Sequence, residues 1–206
     1  MDTNLLIKGV IIGFSIAAPV GPIGVLVTRR TLASGRIAGL LSGLGAATAD
    51  GLYGAVAAFG LTFISNIIVG QQFWIRLIGG IFLLYLGIKT FFAKSKEGQL
   101  TNKERNLTGN YFSTLFLTIT NPTTILSFAA VFAGLGLGVT NANILSATLM
   151  VLGVLIGSAF WWLILSGGVN LFRSKFNAGS LVIVNRISGL ILIMFAMYAF
   201  YVMIRH

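Results

Sequence analysis

Asp50 is the residue through which this chain could do chemistry. Of its four acidic residues, Asp2 is terminal and Glu97 and Glu104 lie in a polar stretch, leaving Asp50 as the one acid inside an apolar run. A carboxylate at mid-helix in lipid costs about 2.5–3.5 kcal/mol, so something must offset that cost. Desolvation works against the charged form and a nearby cation works for it. Such a group can exchange a proton as its surroundings alternate between wet and dry, or bind a substrate ammonium; the plainer alternative is a structural bond to a neighbouring helix. Tyr53, three residues on, shares its helix face. It either hydrogen-bonds Asp50, lines the same cavity or packs.

The three prolines are the second chemical signal. Pro19 and Pro22 lie in Ala18-Pro19-Val20-Gly21-Pro22 and Pro122 in Asn121-Pro122, all inside hydrophobic segments. A proline in a helix removes a hydrogen-bond donor and clashes with the preceding turn. In lipid, such breaks are tolerated only where they are buried in protein or line a wet cavity. A helix restarting after Pro22 or Pro122 offers a positive dipole end to a carboxylate, and unwound carbonyls can receive an ammonium. Together these suit a zwitterion such as an amino acid. Asn121 can contact the ligand or cap the broken helix. The alternative is a plain proline kink stabilised by Ser15 or by Thr118 and Thr120.

Other chemistries lack their residues. There is no cysteine, so disulfides, thiolate metal sites and dithiol redox chemistry are excluded, and the single histidine is His206 at the end of the sequence. No His-Glu-x-x-His helix exists for a zinc protease, and an aspartyl protease needs a second intramembrane acid. The chain is not expected to be an enzyme or to hold a cofactor or metal.

The elements that position these residues are apolar spans. The chain has 206 residues, 56% hydrophobic and 9% charged, with mean hydropathy +0.95; soluble domains carry about 25% charged residues. Six stretches of spanning length fall near 4–28, 37–63, 70–92, 110–136, 143–170 and 180–204. They leave no room for a soluble domain, so residues 1–206 read as a single membrane domain. The N-terminal stretch lacks a basic n-region and reads as a retained span, not a signal peptide.

The net charge of +10 is patterned by the membrane. Eleven of fourteen basic residues fall between the first and second spans (Arg29, Arg30, Arg36), between the third and fourth (Lys89 to Arg105), or around the join of the fifth and sixth (Arg173, Lys175, Arg186). The positive-inside rule places those joins, near 29–36, 93–109 and 171–180, in the cytoplasm and both termini outside. No aromatic-interleaved basic face points to nucleic acid. Arg76 and Arg186, near the starts of their helices, either snorkel to the interface or pair with Asp50 or a substrate carboxylate.

A weak internal repeat orders the spans. Gly21-Pro22-Ile23-Gly24-Val25-Leu26 matches Asn121-Pro122-Thr123-Thr124-Ile125-Leu126. Leu44-Gly45, Asp50 and Tyr53 match Leu152-Gly153, Ser158 and Trp161 at the same spacing. Arg76-Leu77-Ile78-Gly79 matches Arg186-Ile187-Ser188-Gly189. Three spans per copy is odd, so the second copy enters the membrane from the opposite side. The expected fold is an all-α integral membrane protein of six transmembrane helices. It forms two inverted three-helix repeats, about 1–92 and 110–206, joined by a cytoplasmic connector at 93–109, with helices 1 and 4 broken. The glycine pairs Gly39/Gly43 and Gly153/Gly157 fit close helix packing, either within the chain or in a homodimer.

Gly9-x3-Gly13 leading into Ala18-Pro19-Val20-Gly21-Pro22, with Asn121-Pro122 opening the second half, resembles the LysE/RhtB family of small amino-acid exporters. The resemblance implies a bacterial inner-membrane exporter driven by the proton gradient. It carries Pro19, Gly21, Pro22, Asn121 and Pro122 into the site, to which the residue reading adds Tyr53 for substrate and Asp50 for coupling. The family's usual Pro-Gly-Pro is interrupted here by Val20, and the lysine of its Asn-Pro-Lys is replaced by Thr123. The expected function is proton-coupled export of an amino acid or similar small metabolite. The alternatives are a metal-cation exporter of the wider superfamily, weakened by the scarcity of acid and histidine ligands, and a non-transporting scaffold subunit, which would not need a buried Asp50.

Overall fold

The computed structural model describes residues 3–19, 21–59, 71–93, 106–121, 124, 127–128 and 144–205. All regular structure among them is helical: α1 Thr3–Ala17, α2 Pro22–Ser34, α3 Arg36–Ala58, α4 Gln72–Phe91, α5 Leu107–Ile119, α6 Ile144–Leu171 and α7 Ala178–Arg205, with a 3-10 turn at Arg173–Lys175 between the last two. Helices α3, α4, α6 and α7 fall in the apolar stretches read near 37–63, 70–92, 143–170 and 180–204. The first appears as α1 and α2, and α5 begins the fourth. Two helical stretches, Ile144–Lys175 and Gly179–Met203, are each long and apolar enough to cross a membrane, and α1 and α2 pass the same test only as a pair bent by 81°, the shape of a broken span or of a re-entrant loop. Large apolar side chains such as Leu152, Ile156, Phe160 and Met194 face outward on α6 and α7, as expected of helices whose solvent is lipid.

Local chemistry sets the helix ends. Pro22 occupies the first turn of α2, where its missing N–H would have had no helical partner. Gly35, at φ 93°, takes the left-handed conformation that turns α2 into α3. Asn106 caps α5, its side-chain oxygen accepting from the Gly109 N–H at 2.7 Å, and Asn177 does the same for α7 through the Ser180 N–H at 2.8 Å. The join expected at 29–36 is much narrower. Arg29 and Arg30 belong to α2, which runs to Ser34, and only Gly35 separates it from α3.

Glycine governs the packing of α1 on α6. A methyl group at Gly9 would meet Gly153 Cα at 3.0 Å, one at Gly13 would meet Val154 Cα at 2.8 Å, and ones at Gly153 and Gly157 would strike the backbone of Val10. The Gly9/Gly13 and Gly153/Gly157 pairs therefore fit into one another within a single chain. Gly45 plays the corresponding part where α3 meets α5, against the Tyr111 carbonyl and the Leu115 nitrogen. The remaining main contacts are α4 on α7 and α3 on α6. The main core cluster includes Ala17, Leu26, Val27, Ala46, Leu86, Leu117, Trp162 and Leu192, drawn from all seven helices.

Candidate functional site

Both chain breaks and Asp50 converge on one cavity. α1 ends at Ala17, Pro19 lies in the gap, and α2 restarts at Pro22. α5 ends at Ile119 and the chain turns at Thr120 and Asn121. Between these breaks is a cavity of about 480 Å³ whose wall includes Pro19, Gly21, Pro22, Asp50 and Asn121. The structure thus gathers five of the seven residues singled out from the sequence. Pro122 lies outside the described residues, as do Val20 and Thr123. Tyr53 does not reach the wall.

Asp50 is 3% exposed at the middle of α3. Its Oδ2 accepts a hydrogen bond from the Ser158 hydroxyl at 2.6 Å, and the Trp162 indole N–H donates to the same Ser158 oxygen at 3.2 Å. The other carboxylate oxygen has no hydrogen-bond partner among the described residues. Two cations were considered for Asp50. Arg186 is exposed on α7, and the Arg76 side chain lies outside the described residues. A buried acid held by one hydroxyl and bordering a cavity has the surroundings in which a proton can be exchanged with whatever fills that cavity.

The first break offers complementary backbone groups. No side chain caps α2, and because Pro22 has no N–H, the first free amides are those of Ile23 and Gly24, both on the cavity wall. Ile16 and Ala17, from the last turn of α1, line the opposite edge of the gap, where helical carbonyls run out of partners. At the second break the threonines brace the helix as expected of a kink: Thr118 Oγ1 donates to the Thr114 carbonyl at 2.8 Å and Thr120 Oγ1 to the Phe116 carbonyl at 2.9 Å. The Asn121 side-chain amide donates to Thr124 Oγ1 at 3.0 Å. Tyr53 serves this break from outside. Its hydroxyl donates to the carbonyl of Ile119, the last residue of α5, and its ring packs against Phe128 at 5.9 Å. That bond caps a helix end and commits the tyrosine's polar tip to the backbone.

The cavity sits toward one end of the bundle. α4 contributes Gly79, Gly80 and Leu83 from its middle turns, and α7 contributes Tyr198 and Val202 from its last turns. The opposite helix ends, those meeting at Gly35, Ala93 and 172–177, contribute nothing to the wall.

Arg30 is the polar residue that sequence reasoning misplaced. Taken as a loop charge, it is instead 8% exposed within α2. Its guanidinium donates to Ser42 Oγ at 3.0 Å, the Asn110 carbonyl at 2.8 Å, Thr114 Oγ1 at 2.7 Å and Ser113 Oγ at 2.7 Å. The three hydroxyls spend their own protons on carbonyls of their own helices, those of Ala38, Asn110 and Gly109, which leaves lone pairs for the arginine. No acid shares this site among the described residues. The basic residue was visible in the sequence, but its neutral acceptors, up to 84 residues away, gave no sign of it.

A family model described as LysE type translocator matches residues 14–202. Over 199 residues, 95% of this chain and 94% of the relative, the sequence is 26% identical to YcgF of Bacillus subtilis (strain 168), whose description as an amino acid efflux protein is itself provisional. It is 29% identical over 184 residues to YahN of Escherichia coli (strain K12), covering 85% of this chain and 80% of that one. It is also 28% identical over 185 residues to YrhP of Bacillus subtilis (strain 168), covering 82% and 86%; both are described as uncharacterized membrane proteins. No solved structure matches significantly.

Proposed function

From the premise that the chain belongs to the LysE type translocators, and is thus a multi-pass membrane transporter, we propose that it exports an amino acid or similar zwitterion across a bacterial inner membrane in exchange for protons. The observation that carries this reading is the shared cavity, on whose wall both helix breaks and the buried Asp50 meet. The amides opening α2 suit a carboxylate, and the end of α1 together with Asp50 suits an ammonium. Protonation of Asp50 would weaken its hold on the ammonium, which links release of cargo to proton uptake. Pro19, Gly21, Pro22, Asn121 and Pro122 then shape the substrate site, Tyr53 holds the second break in place, and Asp50 couples. The efflux description of YcgF agrees with this direction of transport.

Six spans in two inverted repeats fit the packing. α1 lies on α6 as α5 lies on α3, and α3–α6 and α4–α7 are each a helix beside its own counterpart. Gly45 and Gly153, matched in the repeat, make equivalent backbone contacts. Asp50 and Ser158, also matched, bond to each other, as two residues beside a two-fold axis in the membrane plane would. Rocking of the halves about that axis supplies alternating access.

The test is transport by purified protein in proteoliposomes with an imposed pH gradient, with a panel of labelled amino acids and, separately, divalent metals. Gradient-dependent amino-acid flux is expected. Metal flux without amino-acid flux would favour the cation-exporter alternative, and no flux of either would favour a scaffold.

A further inference from the structure

We infer that Arg30 is the inner gate of the cavity, a positioning residue that closes the side from which cargo enters. This inference rests on the transport reading above. Pro22, on the cavity wall, and Arg30 are eight residues apart on α2, about 12 Å along a helix; Asp50 and Ser42 are separated by the same distance on α3. Nearer wall residues, Gly24, Ala46 and Leu117, are six, four and three residues from Arg30, Ser42 and Thr114, about 9, 6 and 4.5 Å along their helices, so the Arg30 cluster lies one to two turns beyond the cavity, toward the Gly35 end of the bundle. That end gathers most of the basic residues and is the cytoplasmic one by the positive-inside rule.

The bonds there join the two halves of the chain. Arg30 reaches from α2 to Asn110, Ser113 and Thr114 of α5. Its neighbour Arg29 donates from Nε to Asn185 Oδ1 of α7 at 2.9 Å, and Asn185 in turn donates to the Ala93 carbonyl at 3.1 Å. Arg173 donates back from the second half to the Leu32 carbonyl of α2 at 3.2 Å. The closed end is thus fastened by three arginines on neutral partners. Neutral acceptors suit a gate better than carboxylates would. A buried ion pair resists separation, whereas a guanidinium leaving hydroxyls and carbonyls can exchange them for water as the halves part.

The chain has no cysteine, so a single reporter thiol can be introduced cleanly. Ser127 lines the cavity, and Ser127→Cys provides the probe. Labelling with a membrane-impermeant maleimide is measured from each face in oriented vesicles, in the parent and with Arg30→Gln or the paired Ser113→Ala and Thr114→Val added. The parent is expected to label mainly from the outer face. Either gate variant should raise inner-face labelling about tenfold or more, the effect of losing one or more charge-assisted hydrogen bonds on a two-state equilibrium, and lower outer-face labelling. The paired variant keeps the arginine and tests the gate even if Arg30→Gln fails to fold. Unchanged inner-face labelling in the gate variants, with outer-face labelling intact, overturns the gate and leaves the cavity reading standing. Absence of labelling from both faces overturns both.

Discussion

Replacing Gly157 by alanine adds one methyl group at the glycine seam between α1 and α6. That methyl would lie 2.8 Å from the carbonyl carbon of Val10 and 2.9 Å from its Cα, and closer still to its oxygen. All three are backbone atoms of α1, so no side chain can swing aside. Ordinary contact begins at 3.4 Å, and α1 must retreat by at least about 0.6 Å, the gap between 2.8 and 3.4 Å. Overpacking of this kind costs about 1–3 kcal/mol. Alanine also gains about 0.5–1 kcal/mol over glycine inside a helix, which would blur the result in a single variant. Gly168→Ala, on the same helix, removes that ambiguity, because a methyl there meets nothing within 4 Å. The two variants share the helix gain, so their difference isolates the seam, at about 1–3 kcal/mol. Equilibrium unfolding in mixed detergent measures that difference. Transport measures its consequence, since α1 carries Ile16 and Ala17 on the cavity wall. Gly157→Ala should be the less stable and the less active, with Gly168→Ala at or above the parent. Equal stability of the two would refute the interlocked glycine seam.

Two further predictions bear on the breaks and the orientation. Tyr53→Phe removes the donor to the Ile119 carbonyl and should cost about 1–2 kcal/mol of stability, while pH-gradient coupling persists because Asp50 is untouched; loss of coupling with stability unchanged would return Tyr53 to the substrate site. Reporter fusions should place 93–109 in the cytoplasm and His206 outside; a cytoplasmic His206 would remove the odd span count and the inverted repeat with it.

The helices and the first break were legible because each rests on local chemistry. Long apolar runs gave α3, α4, α6 and α7 within a few residues of their ends, and prolines in apolar surroundings marked the first break. Asp50 was legible as an acid without solvent. Partners were not legible. Ser158 was matched to Asp50 as a repeat counterpart, yet nothing local indicated that the two would touch; that contact depends on how α3 crosses α6. The Gly153/Gly157 pair announced close packing without naming Gly9 and Gly13 as its partners. Arg30 was hidden most completely, because its place at the end of an apolar run satisfies the positive-inside rule, and its acceptors are serines, a threonine and a carbonyl that carry no charge to betray them. Tyr53 shares the face of Asp50 as expected, but its hydroxyl goes to a helix end that sequence periodicity could not bring near.

Coupling through Asp50 is the centre of the account. Asp50→Asn keeps nearly the same shape and can still accept from Ser158 but can no longer gain or lose a proton. The decisive measurement is uphill amino-acid movement in proteoliposomes under an imposed pH gradient, beside gradient-free exchange of the same amino acid. The variant should retain protein in the membrane and some exchange while losing gradient-driven accumulation. Accumulation at the parent's level in Asp50→Asn would contradict it.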